Sequence, residues 1–175
     1  MNYGKLIKVD SANGLGARVS FFVSGCRNHC PECFNVETWD FHYGTPYTEE
    51  TEAEILEALA PVYISGLSLL GGEPFEEENQ VVLVELLCRI KELYPQKTIW
   101  CYTGYTLETD LLTGSKHTDV TDRMLSCIDV LVDGRYMREL RDLTLAFRGS
   151  RNQRILDLPK TLQSGEPVWL ELPKK

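Results

Sequence analysis

The sequence predicts an α/β fold, a partial (βα) barrel with mainly parallel strands that takes up residues 1–175 as one domain. Short apolar runs rich in strand-forming residues recur at Val19–Val23, Gly66–Leu70, Thr98–Tyr102 and Asp129–Asp133, as expected of strands covered on both faces. Segments of helical periodicity lie between them, and that alternation implies parallel strands joined by helical crossovers. There are fewer units than an eight-fold barrel needs, so the barrel is partial.

Taken in order, Leu6-Ile7-Lys8-Val9 reads as a short strand and Ser11–Gly16 as a glycine-rich turn into the next, Val19–Val23. The Gly14-Leu15-Gly16 step could cradle a phosphate, but no helix start follows it, so a plain turn is the better reading. A cysteine-rich loop comes next, then a polar link through Thr45-Pro46-Tyr47. Thr51-Glu52-Ala53-Glu54 has the form of a capping box, and Ile55, Leu56 and Leu59 follow at helical spacing; the helix spans 48–60 and stops at Pro61. The strand Gly66–Leu70 runs directly into Gly71-Gly72-Glu73-Pro74. A long amphipathic helix, Glu76 to Tyr94, carries Val82, Leu83, Leu86, Leu87, Ile90 and Leu93 along one face. Thr98–Tyr102 is the next strand, Thr121–Cys127 a short helix and Asp129–Asp133 a further strand. The tail from Pro159 to Lys175 ends in Val168–Leu172, an edge strand or a segment packed over the core.

Composition sets outer limits. The chain is 43% hydrophobic and 25% charged, ordinary for a globular protein. A net charge of −8 leaves no electrostatic footprint for nucleic acid or an anionic membrane. Met1–Lys5 lacks the apolar centre of a secretion signal, and no run approaches the roughly 18 apolar residues of a membrane span; a cytoplasmic protein is expected. Six cysteines without such a signal point to free thiols or metal ligands rather than disulfides. Cys88, Cys101 and Cys127 each stand alone in apolar stretches and read as small buried hydrophobes.

The other three, Cys26, Cys30 and Cys33, share one loop after an apolar strand, at x3 and x2 spacing. Structural zinc sites draw four ligands from two separated pairs, and iron–sulfur clusters normally take four thiolates; no fourth cysteine lies nearby. A zinc loop completed by His29, a redox-active Cys30/Cys33 pair and three unrelated core cysteines are the alternatives on these residues alone. Gly71-Gly72-Glu73 offers a backbone that can approach a ligand closely and a carboxylate able to accept from an ammonium group; alone it could equally be a tight turn beside a solvated acid. The cysteine loop, Gly71-Gly72-Glu73, Thr103-Gly104 and Asp133-Gly134 all fall at strand carboxyl ends, where ligands collect in such sheets. His42 and His117 lie in polar loops, and no Ser/His/Asp grouping or hydrolytic carboxylate pair is present.

Cys-x3-Cys-x2-Cys followed by Gly-Gly-Glu resembles the radical S-adenosylmethionine (SAM) enzymes. Asn13-Gly-x-Gly-x-Arg18, Trp100-x-Tyr102-Thr103-Gly104-Tyr105, Asp129–Tyr136 and Phe147–Arg154 narrow the resemblance to the activating proteins of anaerobic ribonucleoside-triphosphate reductase, over about residues 2–157. The resemblance implies a radical SAM fold in which Cys26, Cys30 and Cys33 ligate a [4Fe–4S] cluster, leaving one iron free for SAM. Gly71, Gly72 and Glu73 would hold the methionine end, and Glu32, Cys33 and Phe34 would pass beside the adenine. An aromatic commonly precedes the third cysteine in that superfamily, whereas here Glu32 precedes it and Phe34 follows. Asp133 is a candidate ribose or partner contact, or a turn aspartate; Arg148–Arg154 could dock an acidic partner or form a solvated loop. The implied activity is reductive SAM cleavage and formation of a glycyl radical on the reductase, with a one-electron donor such as flavodoxin and no catalytic residue beyond the cluster ligands. An activase for another glycyl-radical enzyme and a non-catalytic iron–sulfur or zinc module are the alternatives.

Overall fold

The computed structural model describes residues 1–173. Its elements are β1 (Asn2–Asp10), β2 (Ala17–Val23), β3 (Thr45–Pro46), α1 (Glu49–Leu59), β4 (Ile64–Gly71), α2 (Glu77–Leu93), β5 (Thr98–Tyr102), α3 (Thr121–Ser126), β6 (Val130–Asp133), β7 (Arg154–Asp157) and α4 (Leu158–Ser164). All seven strands form one open sheet in the order β3-β1-β2-β4-β5-β6-β7. The central strands β2, β4, β5 and β6 run parallel, with helices in the crossovers. The edges do not follow: β1 is antiparallel to β2 and β3, and β7 is antiparallel to β6. The α/β class therefore stands, while the sheet is mixed.

The central strands are buried because both faces are covered. Val19, Phe21, Leu67, Leu69, Ile99 and Leu131 are fully enclosed, and α2 lays Leu83, Leu86, Leu87 and Ile90 against them. Leu93, expected on that face, is 54% exposed, since it lies in the last turn where the helix leaves the sheet; Val84 is buried instead. The helix at 48–60 forms, but its capping box sits one turn early: Thr48 is the cap, and Thr51 is the third helical residue that bonds back to it. Arg18 is buried with no carboxylate partner. It donates to Ser68 Oγ (2.8 Å), Leu67 O (2.7 Å) and Thr98 O (2.8 Å), pinning β2, β4 and β5 together. Burial draws its pKa down to about 10, still well above neutrality.

Among the isolated cysteines, Cys101 is a core residue. Cys88 and Cys127 do not stand alone: α2 and α3 bring them face to face. The tail packs rather than extending the sheet, touching it by a single bridge, Leu156 to Trp169, with Leu170 and Leu172 against Trp100, Val130 and Ile155. No described helix is long and apolar enough to cross a membrane.

Candidate active site

The carboxyl ends of β2, β4, β5 and β6 open onto one cavity of about 460 Å³, lined by Cys26, Cys30, Cys33, Phe34, Gly71, Gly72 and Glu73 among others. That volume is in the range of small-molecule sites. Thr103, Gly104 and Gly134 reach the same wall, so the four strand-end segments that the sequence singles out do converge.

The cysteine loop is fastened at its root. Gly72 N donates to Val23 O (2.7 Å), Glu73 N to Gly25 O (2.8 Å) and Gly25 N to Thr38 O (2.7 Å). Gly71, the last residue of β4, and Gly72 after it line the cavity and also make this seam possible: a Cβ on Gly72 would lie 2.6 Å from Gly25 O, and one on Gly71 would lie 2.7 Å from the backbone of Phe22 and Val23. Within the loop, His29 (φ 46°) and Glu32 (φ 58°) take the left-handed conformation, uncommon outside glycine and concentrated where a site demands it. These two reversals lie in the loop that brings Cys26, Cys30 and Cys33 to the cavity wall. The ring of His29 lies on Trp39, centroids 4.6 Å apart, and His29 is not part of the cavity wall.

The donor set suits a cluster. Among the described residues, no three His, Cys, Asp or Glu side chains converge as a single ion would need. The three thiols instead share the wall of one cavity, room for a group with its own bulk. Burial, with the Glu73 charge adding to it, pushes the Cys26 thiol up to about 11, so iron binding there must release a proton.

Glu73 is the buried acid of the site. Its Oε1 accepts from Phe75 N (3.0 Å) and Thr103 Oγ1 (2.7 Å), and its Oε2 from Gly104 N (2.8 Å) and Asn28 Nδ2 (3.1 Å). Four donors occupy about all the lone-pair positions a carboxylate has. Burial nevertheless lifts its pKa to about 7, outweighing those donors, with the Glu76 charge adding to the rise. Of the four, Asn28 alone is a side chain of the cysteine loop; the other three donors belong to the segments after β4 and β5.

A second buried acid escaped the sequence reading. Glu76, fully enclosed, pairs with Arg27 and Lys116, each at 2.9 Å. It also accepts from Arg27 N (2.9 Å) and Tyr105 OH (2.9 Å). Arg27 extends to Glu78 (2.6 Å) and lies 4.3 Å from the Phe41 ring centre. The residue next to Cys26 is thus clamped to the start of α2. No sequence pattern signals this clamp, because an acid before a helix reads as ordinary charge on its N-terminus.

Three polar atoms without partners belong to residues on the cavity wall: Trp39 Nε1, Tyr102 OH and Tyr136 OH. Buried polar groups are seldom left so, and all three atoms are closed off from solvent. The remaining candidates divide. Phe34 is 78% exposed at the mouth with the Arg141 guanidinium 5.9 Å from its ring centre. Glu32 is off the wall and pairs with Arg138 at 3.1 Å. The Asp133 carboxylate is buried away from the cavity, held by Arg154 Nε (2.9 Å) and Leu107 N (2.9 Å); its neighbour Gly134 reaches the wall. In the arginine-rich segment, Arg148 lines the cavity, Arg151 pairs with Asp142 (3.1 Å), and Arg154 is tied to Asp133 and Glu108.

Residues 12–156 match the family model described as "4Fe-4S single cluster domain". A Vibrio cholerae protein is 41% identical over 155 residues, covering 87% of this chain and 96% of its own. A Pasteurella multocida protein is 40% identical over 155 residues, covering 87% of this chain and 95% of its own. A phage T4 protein is 37% identical over 156 residues, covering 89% and 93% respectively. All three bear the name anaerobic ribonucleoside-triphosphate reductase-activating protein.

Proposed function

The chain belongs to the family of anaerobic ribonucleoside-triphosphate reductase-activating proteins and carries that family's 4Fe-4S single cluster domain; from this membership we propose that it is a glycyl-radical activase for that reductase. The observation that carries the reading is the sharing of one cavity by three loop thiols and a buried glutamate. Cys26, Cys30 and Cys33 would hold the cluster, and the same cavity would take SAM. When bound, the cluster supplies one-electron reduction of the SAM sulfonium, the source of a 5′-deoxyadenosyl radical.

The chain's own part is to bind, orient and exclude water. Glu73 receives the methionine ammonium, with Asn28 yielding its place on Oε2. The backbone of Gly71 and Gly72 closes the floor beneath. Phe34 and Cys33, which line the cavity, and the adjoining backbone of Glu32 would pass beside the adenine. Asp133 acts at one remove, by fixing Arg154 and the chain at Leu107. The open sheet is a partial barrel of radical SAM type in a single cytoplasmic domain. Its uncovered side admits a glycine-bearing loop of the reductase, and a flavodoxin-like protein donates the electron.

Anaerobic reconstitution with iron and sulfide, reduction with dithionite and addition of SAM tests this reading. It predicts 5′-deoxyadenosine from the wild type and none from Cys26→Ala. A bound cluster without cleavage, or zinc in its place, would overturn it in favour of a binding module.

A further inference from the structure

Cys88, on α2, and Cys127, at the carboxyl end of α3, place their sulfurs 3.2 Å apart, although 39 positions separate them in the chain. Both are free thiols, and neither lines the active-site cavity. This is closer than two sulfurs need to approach merely to fill a core. A disulfide requires about 2.05 Å between sulfurs, so closing the remaining gap of about one ångström asks for side-chain rotation and little movement of the helices.

The surroundings give the two sulfurs different parts. Cys88 is half-buried and open to solvent on one side, whereas Cys127 is 7% exposed. Arg123 forks onto Glu85 at 2.5 and 3.1 Å, one turn before Cys88 on α2. Reactive cysteines are partly exposed ones, whereas buried cysteines are inert. Burial pushes the Cys127 thiol up to about 11, which marks it as the second sulfur to react.

We propose that Cys88 and Cys127 form a reversible thiol–disulfide switch, a modification site for small disulfides of the glutathione class, joining α2 to α3 away from the cysteine loop. The proposal does not depend on the function given above. Cys88, as thiolate, attacks one sulfur of glutathione disulfide; that S–S bond breaks, and one glutathione leaves with the proton Cys88 gave up. Cys127 then loses its proton and attacks the Cys88 sulfur, releasing the second glutathione. Two protein thiols are oxidised and one external disulfide is reduced to two thiols, so electrons and protons balance.

The test uses the full, iron-reconstituted chain held anaerobically with glutathione disulfide, quenched in acid, alkylated, digested and read by mass spectrometry. Wild type is expected to give a Cys88–Cys127 cross-linked peptide pair, with no glutathione adduct accumulating and full reversal by dithiothreitol. Cys127→Ser should trap one glutathione on Cys88, and Cys88→Ser should react at Cys127 at least several-fold more slowly. The oxidised wild type should melt no lower than the reduced form. Persistent glutathione on wild-type Cys88, cross-links to Cys101 instead, or a cross-link that forms only with a lowered melting temperature would overturn the proposal.

Discussion

Replacing Glu76 by Gln removes one negative charge from an enclosed position and leaves the shape almost unchanged. Arg27 and Lys116 both reach Oε2 at 2.9 Å, so the amide nitrogen takes the other position. There it meets the Arg27 backbone N–H donor against donor and only the Tyr105 hydroxyl can turn to accept, while the cations keep a neutral amide oxygen in place of a charge. Removing one partner of a buried ion pair costs about 3–5 kcal/mol. Arg27 is 52% exposed and keeps Glu78, and Lys116 is 22% exposed, so water takes up part of the loss and about 2–3 kcal/mol is expected. For a chain of this size that lowers the melting midpoint by roughly 5–10 °C. The sign with pH follows. Burial alone would raise the Glu76 pKa, but hydrogen bonds from Lys116 and Arg27 win, and the net shift is downward from 4.5. The stabilisation is therefore present above pH 4.5 and disappears as the pH falls through the lower native value. Melting curves of wild type and Glu76→Gln should lie apart at pH 7 and draw together as the pH falls below 4.5, and the variant should retain less iron because Arg27 adjoins Cys26. A variant melting within about 2 °C of wild type at pH 7 with full iron content would refute the idea that this clamp holds the loop.

Three more outcomes follow from the geometry. With the Glu73 pKa near 7, SAM affinity should strengthen as pH rises through that value, while Glu73→Gln should bind about 10–100-fold more weakly with a flat pH profile; anaerobic calorimetry measures both. In the ligand-free protein the same raised pKa gives a stabilisation that is complete below pH 4.5 and lost as pH passes about 7. Gly72→Ala puts a methyl 2.6 Å from Gly25 O, so it should cost about 1–3 kcal/mol in thermal denaturation and lower the iron stoichiometry. Asp133→Asn weakens a buried pair with Arg154 and should destabilise by about 2–4 kcal/mol while leaving SAM affinity within about twofold; a large affinity loss with an unchanged melting point would instead make Asp133 a direct ligand contact.

What the sequence made legible was whatever repeated or was chemically singular. Thr98–Tyr102 is predicted to the residue, and Glu76 and Tyr94 fall one position outside α2 at each end, because long periodic segments with clear flanks leave few alternatives. The antiparallel edges were not legible, since alternation of elements says nothing of strand direction where the connection is a loop. β7 and α4 are not in the sequence reading because Arg154–Asp157 is a four-residue strand that flows directly into a short helix with Pro159 near its start, too little chain for either period to show. At the site, cysteine spacing and Gly-Gly-Glu announced themselves. The Glu76 clamp, the Asn28 contact and the unpartnered Trp39, Tyr102 and Tyr136 did not, because each acquires its meaning from a neighbour brought from elsewhere in the chain. The glycines illustrate the limit: their types were informative, but the close backbone seams they make, Gly72 with Gly25 and Gly71 with Phe22 and Val23, show only in the fold.

The most direct test of the activase account is electron paramagnetic resonance on the anaerobic reductase after mixing with this protein, SAM and a one-electron donor. The account predicts a glycyl radical signal on the reductase that requires SAM and vanishes with Cys26→Ala, Cys30→Ala or Cys33→Ala. No signal from wild-type protein that cleaves SAM, or an undiminished signal from those variants, would contradict it.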